Sequence, residues 1–213
     1  MTPQDYIDQA KDPTQWLRKA EDLLEDHDIL WEKVEEMLKQ LKRESQPETE
    51  QRLARRLASL MLSSELLLAL SVENALKGHL LSEKPQEVEM TISVDGEGDF
   101  REARLSSIAS NHPNHDLLAL AHELDIFAQQ DNPLLDSPPD PEGLETILEH
   151  LTHVIRWVGR YPVPLDYEEH TSWRDQIMTD DEGVTSTLHT MFENHNMALD
   201  LARQLTPDEV DAG

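Results

Sequence analysis

Histidines are the residues of this 213-residue chain best suited to metal binding or proton transfer, since it has ten of them and no cysteine. Two pairs have the i, i+3 spacing that places both rings on one helix face, His112 with His115 and His150 with His153. A metal site needs at least a third ligand, and the chain has no HExxH pattern. We therefore predict no metal and no cofactor.

Glu73 and Lys77 stand out because they lie in the most apolar stretch of the chain, residues 57–81. They are four residues apart with the acid first, an order that favours an ion pair worth about 0.2–0.5 kcal/mol on an exposed helix. The pair is either structural or kept because it faces a groove or a partner. With Glu65, these residues would form one narrow polar stripe on a buried helix.

A second group of candidate binding residues lies at a predicted helix end and combines cationic with aromatic side chains: Arg156, Trp157, Arg160 and Tyr161. Trp, Tyr and Arg anchor protein interfaces more often than other residues. Arginines near a helix C-terminus also stabilise the helix through its dipole, so a structural role is the alternative. Asp116, at the start of another predicted helix, is either a cap or a further binding residue.

The net charge of −26 disfavours nucleic acid as a partner, because phosphate binding requires Lys and Arg to displace counterions. Residues 39–56 are a local exception, with six of the 18 basic residues (Lys39 to Arg56) and only three glutamates. This segment is either an ordinary solvated helix end or a docking patch for an acidic partner or nucleic acid. The chain has no phosphate-binding glycine loop and no GxSxG motif.

Apolar periodicity predicts the elements that must position these residues. Two long helices, over 12–44 with a break near Asp26–Asp28 and from Pro47 to about Leu81, should form an antiparallel hairpin. Alternating polar and apolar residues followed by a glycine-containing turn predict either a short β-hairpin or an irregular insertion at about 85–105. Further helices are predicted over about fourteen residues after Asp116 and over 141–158 and 184–205.

The predicted fold class is therefore all-α, a helical bundle of about five main helices. We expect residues 1–46 to pack on a core formed by 47–205, with an insertion at 82–110 and an acidic tail at 206–213. No run of about 20 apolar residues and no secretory signal is recognisable. A soluble, cytoplasmic protein without a membrane partner is expected.

The segment Leu70–Gly78, with Glu73 and Lys77, and the later His115–Leu120 together resemble the HEPN superfamily over about residues 53–160. The resemblance implies a bundle of four or five helices that often dimerises. HEPN members include RNases of bacterial toxin, defence and CRISPR systems, and non-catalytic proteins that bind nucleotides or proteins. Active HEPN nucleases share an Arg-x(4–6)-His motif, which this chain lacks: seven residues separate Arg104 from His112.

Three functions follow as expectations. The first is a non-catalytic or divergent HEPN-like interaction module, homodimeric and possessing a protein partner, as in toxin–antitoxin or defence systems. The alternative is an RNase in which His112 or His115 acts as general acid or base with Arg101 or Arg104. A third is binding of a nucleotide or other small molecule between the helices.

Overall fold

The computed structural model describes residues 2–96, 100–108, 115–128, 134–135, 141–158 and 184–206. These residues are mostly helical, with one small antiparallel hairpin of two strands. The predicted all-α bundle with a short hairpin insertion is therefore confirmed.

The two longest helices are α2 (Pro13–Leu41) and α3 (Pro47–Glu83), which pack against each other as the predicted hairpin. Asp12 caps α2 by accepting a hydrogen bond from the backbone N–H of Thr14, and Pro13 occupies the first helical position. The break considered near residues 26–28 is wrong, because α2 continues through them. Its apolar stripe is buried against α3 on both sides of that point.

A short helix, α1 (Pro3–Lys11), precedes the hairpin and was not predicted. Its sequence signal is a capping box: the Thr2 hydroxyl accepts from the Asp5 N–H, while the Asp5 carboxylate accepts from the Thr2 N–H. Pro3 follows directly as the first helical residue. The sequence Thr-Pro-Gln-Asp alone therefore indicates the start of this helix.

The insertion is a β-hairpin of β1 (Val88–Val94) and β2 (Phe100–Ile108), entered through a short 3₁₀ turn at Pro85–Glu87. The apolar residues of β1 alternate with polar ones and share one face. Ile92 and Val94 at the far end of this face are 41% and 56% exposed. The near end contacts α1, where the Tyr6 hydroxyl accepts a hydrogen bond from the Leu105 N–H at 3.3 Å.

Helix α4 (Leu117–Glu123) has seven residues, so the prediction of about fourteen is wrong. The reason is local, since Asp125 adopts a φ of 51°. The Ile126 N–H then bonds the Ala121 carbonyl, and the Asp125 N–H bonds that of His122. This is a Schellman motif with aspartate where glycine is usual, and it ends the helix before its apolar pattern ends.

Helix α5 (Pro141–His153) continues directly into a π-helical segment (Val154–Val158), and α6 (Val184–Leu205) has the predicted bounds. One hydrophobic core joins α3, α4, α5 and α6, and a smaller cluster lies near the connection between α2 and α3 (Val34, Met37, Leu57, Met61). The Ser71 hydroxyl ties α3 to α2 by donating to the Ala20 carbonyl at 2.7 Å. None of the helices in the described ranges is long and apolar enough to span a membrane.

Candidate binding site at Glu73, His115 and Arg156

The site begins with Glu73, a buried carboxylate of α3. Lys77, one turn later, donates a hydrogen bond from Nζ to Glu73 Oε1 at 2.6 Å. The Lys77 side chain is 20% exposed, and its ammonium lies 5.7 Å from the centre of the Trp16 ring on α2. The helix spacing predicted this pair, but not the aromatic face that covers the cation.

His115 supplies the second contact to Glu73. Its Nδ1 lies 3.0 Å from Oε1 and 3.1 Å from Oε2 of that carboxylate. Carboxylate oxygens accept hydrogen bonds, so Nδ1 is the ring nitrogen that donates in this contact, and Nε2 takes no part in it. The backbone at His115 has a φ of 68°, an uncommon conformation for a residue other than glycine. The Glu73 contact thus orients a ring whose side chain is 28% exposed.

Asp116 extends the site from α4 to the end of α5. Its Oδ1 accepts the Ala119 N–H at 3.0 Å as the cap of α4, and its Oδ2 lies 3.6 Å from Nη2 of Arg156. Arg156 belongs to the π-helical segment, a type of helix that is rare and often found at functional sites. Beneath this ion pair, the buried hydroxyl of Thr152 accepts the Leu117 N–H at 3.0 Å.

The structure thus brings together five candidate residues from three separate segments of the sequence: Glu73, Lys77, His115, Asp116 and Arg156. We call this group the charged cluster. The Trp157 side chain and the residues His112, Arg160 and Tyr161 lie outside what the structure describes. Within the described ranges, the charged cluster joins α3, the start of α4 and the end of α5 through ion pairs and hydrogen bonds.

Two other sets of sequence candidates lie elsewhere. Arg104 is an exposed residue of β2 opposite Thr91, and Arg101 is 3.8 Å from Asp95 in the same hairpin. Among the described contacts, no hydrogen bond or ion pair connects either arginine to His115. The basic residues of 39–56 are exposed around the connection between α2 and α3. They form a separate surface from the charged cluster.

Sequence reasoning missed Trp16 and Thr152 as parts of the site. Both act across large sequence separations, Trp16 on Lys77 and Thr152 on Leu117, and no local pattern points to such a contact. Within the described residues, no group of three or more His, Asp or Glu side chains is arranged to hold a metal ion. The chemistry that the cluster offers is ion pairing, hydrogen bonding and proton transfer at His115.

Fold and site together define an α-helical bundle with a charged cluster at the junction of three helices. Comparison of the chain with protein-family models, curated proteins and solved structures gives no match.

Proposed function

We propose that this chain is a divergent, HEPN-like helical interaction module that binds a protein partner through the surface around the charged cluster, and that this partner is a second copy of the chain. The observation that carries the proposal is the convergence of residues from three separate segments into one partly exposed group. Each charge in the group already faces an opposite one, Glu73 with Lys77 and Asp116 with Arg156. Partly exposed charges of both signs can fix the register of a contact when they meet complementary charges across it.

Exposure supports the same function. His115 and Arg156 keep 28% and 31% of their side-chain surface exposed, while Glu73, which contacts His115, is buried. Arginine is enriched among the interface residues that contribute most to binding, so the partly exposed Arg156 is suited to contact a partner. The resemblance to HEPN domains, many of which dimerise, adds to this proposal and accounts for the bacterial toxin–antitoxin or defence setting that we propose with it.

Light scattering coupled to size-exclusion chromatography tests the proposal. We expect the wild type to elute as a dimer and Arg156→Ala to shift toward monomer at the same concentration. Arg203→Ala is a matched control, because Arg203 forms a similar ion pair with Asp28 at 3.5 Å, away from the charged cluster. A strict monomer at every concentration, or equal dissociation of both variants, contradicts the proposal.

A second candidate function is RNA cleavage by acid–base catalysis, and one contact favours it. Glu73 holds Nδ1 of His115 and leaves Nε2 to accept a proton, which is how a carboxylate prepares a histidine to act as a general base. The net charge of −26 opposes an RNA substrate. The absence of an Arg-x(4–6)-His motif also opposes it.

Incubation of purified protein with mixed RNA separates the two functions. If the second candidate is right, the wild type cleaves, while His115→Ala and Glu73→Gln lose most of that activity. His122→Ala, at an exposed position of α4, is the control that should keep it. Adding His112→Ala tests the other histidine candidate. If the wild type leaves the RNA intact, RNA cleavage is excluded and the interaction module remains the proposed function.

A further inference from the structure

Three aromatic rings stack in the interface between α2 and α6, outside the charged cluster. His27 and Trp31 come from α2, and His195 comes from α6. The Trp31 and His195 ring centres are 3.4 Å apart with planes 9° from parallel, and the two histidine ring centres are 5.1 Å apart. His27 and His195 are 0% and 3% exposed. The stack adds a contact between α2 and α6 to the core packing of α6 on α3.

The polar atoms of this interface have few partners. Among the described residues, no hydrogen bond reaches His27 Nε2, the Ser64 hydroxyl or either ring nitrogen of His195. Ser64 belongs here because the Ser71–Ala20 hydrogen bond sets the register of the antiparallel hairpin. His27 lies about two turns after Ala20 on α2 and Ser64 about two turns before Ser71 on α3, so this register places them opposite each other. Because neither His195 nitrogen has a hydrogen-bond partner within the described ranges, ring contact with Trp31 and His27 is what holds the His195 side chain in this interface.

Charged groups face the stack from each element around it. On α2, Asp28 Oδ1 lies 3.0 Å from His27 Nδ1, and its Oδ2 lies 3.5 Å from Arg203 of α6. Glu65 of α3 is buried nearby and is 3.8 Å from His150 Nε2 of α5. Asp28 and Glu65 supply two negative charges and Arg203 supplies one positive charge, so these groups can balance one added positive charge. They cannot balance a charge on both imidazoles.

We propose that His27, Trp31 and His195 form a proton-sensitive latch that holds α6 on the α2–α3 hairpin and releases it when the imidazoles become protonated. Two imidazolium rings with centres 5.1 Å apart would repel each other in a buried interface. Because α6 closes the core through Leu201 and Leu205, its release would expose apolar surface of α3.

Burial favours the neutral rings. It lowers the pKa of His27, against the opposing effect of Asp28. Burial and then the neighbouring His27 lower the pKa of His195 to about 3. Both folded-state pKa values lie below the ordinary 6.5, so the released state binds protons more readily. The stability that neutral rings confer is thus fully present above pH 6.5 and is lost as pH falls from there toward the folded-state values.

Hydrogen exchange measures the latch directly. Protection factors, corrected for intrinsic exchange rates, are compared for α6 and α3 amides at pH 7.5 and pH 5.5. Each proton taken up on release should lower α6 protection by about tenfold over this range. We expect α6 to lose more protection than α3 in the wild type. Equal protection of α6 at the two pH values overturns the proposal.

Variants assign the effect to these rings. His195→Phe keeps an aromatic ring and removes its titration, so the loss of α6 protection between the two pH values should be about tenfold smaller than in the wild type. His27→Phe makes the same comparison from α2, should the first variant fail to fold. His122→Phe is the control, since exposed His122 packs on Phe127 with ring centres 4.6 Å apart, and it should respond like the wild type. A wild-type response in both interface variants contradicts the latch.

Discussion

Leu17 occupies the space beside Gly78: a Cβ on Gly78 would lie 2.9 Å from both Cδ2 and Cγ of Leu17 and 3.3 Å from its backbone nitrogen. The α2 and α3 backbones can therefore approach closely because residue 78 has no side chain. This approach lies one residue from Lys77 and brings Trp16 of α2 within reach of its ammonium. The glycine thus helps to position the charged cluster.

We expect Gly78→Ala to lower the free energy of unfolding by about 1–3 kcal/mol, the usual result of overpacking a tight interface. Gly143→Ala in α5 is the matched control, because a Cβ there meets nothing within 4 Å. That change should stabilise the helix by up to about 1 kcal/mol, as alanine is the better helix former. Urea denaturation of both variants measures the difference, and equal effects would show that Leu17 is free to move aside.

Ser71→Ala should cost about 1 kcal/mol, because its hydroxyl makes a buried hydrogen bond between α3 and α2. Ser63→Ala on the same helix removes a similar bond, from the Ser63 hydroxyl to the Ser59 carbonyl, at an exposed position. It should change stability by less than about 0.5 kcal/mol. Thermal unfolding followed by circular dichroism compares them. A larger loss for Ser63→Ala would contradict the assigned contact.

Thr152→Val should lower stability by about 1–3 kcal/mol, since the shape is kept but the buried Leu117 N–H loses its acceptor. The control is Thr146→Val, also on α5, where the threonine hydroxyl donates to the Glu142 carbonyl at an exposed site. Guanidinium denaturation should detect little effect there. If Thr152→Val lowers stability no more than Thr146→Val does, another group must accept the hydrogen bond from the Leu117 N–H.

Glu73→Ala should destabilise the fold by about 3 kcal/mol, because it removes the buried carboxylate that faces Lys77 and His115. The Glu73→Ala, Lys77→Met double variant should recover part of this loss, as it no longer leaves the ammonium without its acid. A double-mutant cycle by urea denaturation gives the coupling between the two residues. Strictly additive effects would mean that the contact between Glu73 and Lys77 does not itself stabilise the fold.

Asp12→Ala should cost about 1 kcal/mol at pH 7, because the α2 cap is lost. Hydrogen bonds, first from the Thr14 side chain, lower the pKa of Asp12 below its ordinary 3.8. The stabilisation is therefore present above pH 3.8 and is lost as pH falls through the folded-state pKa. Denaturation at pH 7 and pH 2 should show the variant and wild type converging in acid. Asp12→Asn, which keeps a capping oxygen, should show a smaller difference at pH 7.

Much of the fold could be predicted from local sequence, because a long helix is indicated by the spacing of apolar residues over neighbouring turns. The bounds of α3 and α6 agree with prediction to within two residues, whereas α4 is shorter, since Asp125 takes a left-handed conformation that its sequence signals weakly. The candidate site could be predicted from the sequence only in part. Glu73 and Lys77 share one helix face, but the contact of Glu73 with His115 spans 42 residues and has no local signal.

By itself, the sequence determined the helical class, the α2–α3 hairpin and the Glu73–Lys77 pair, because each depends on spacing within one helix or one connection. Only the tertiary structure decided that His115 and Arg156 join that pair and that His27 and His195 stack on Trp31. Those contacts depend on how separate helices pack. Packing is set by the shape and burial of the whole core, which no single segment contains.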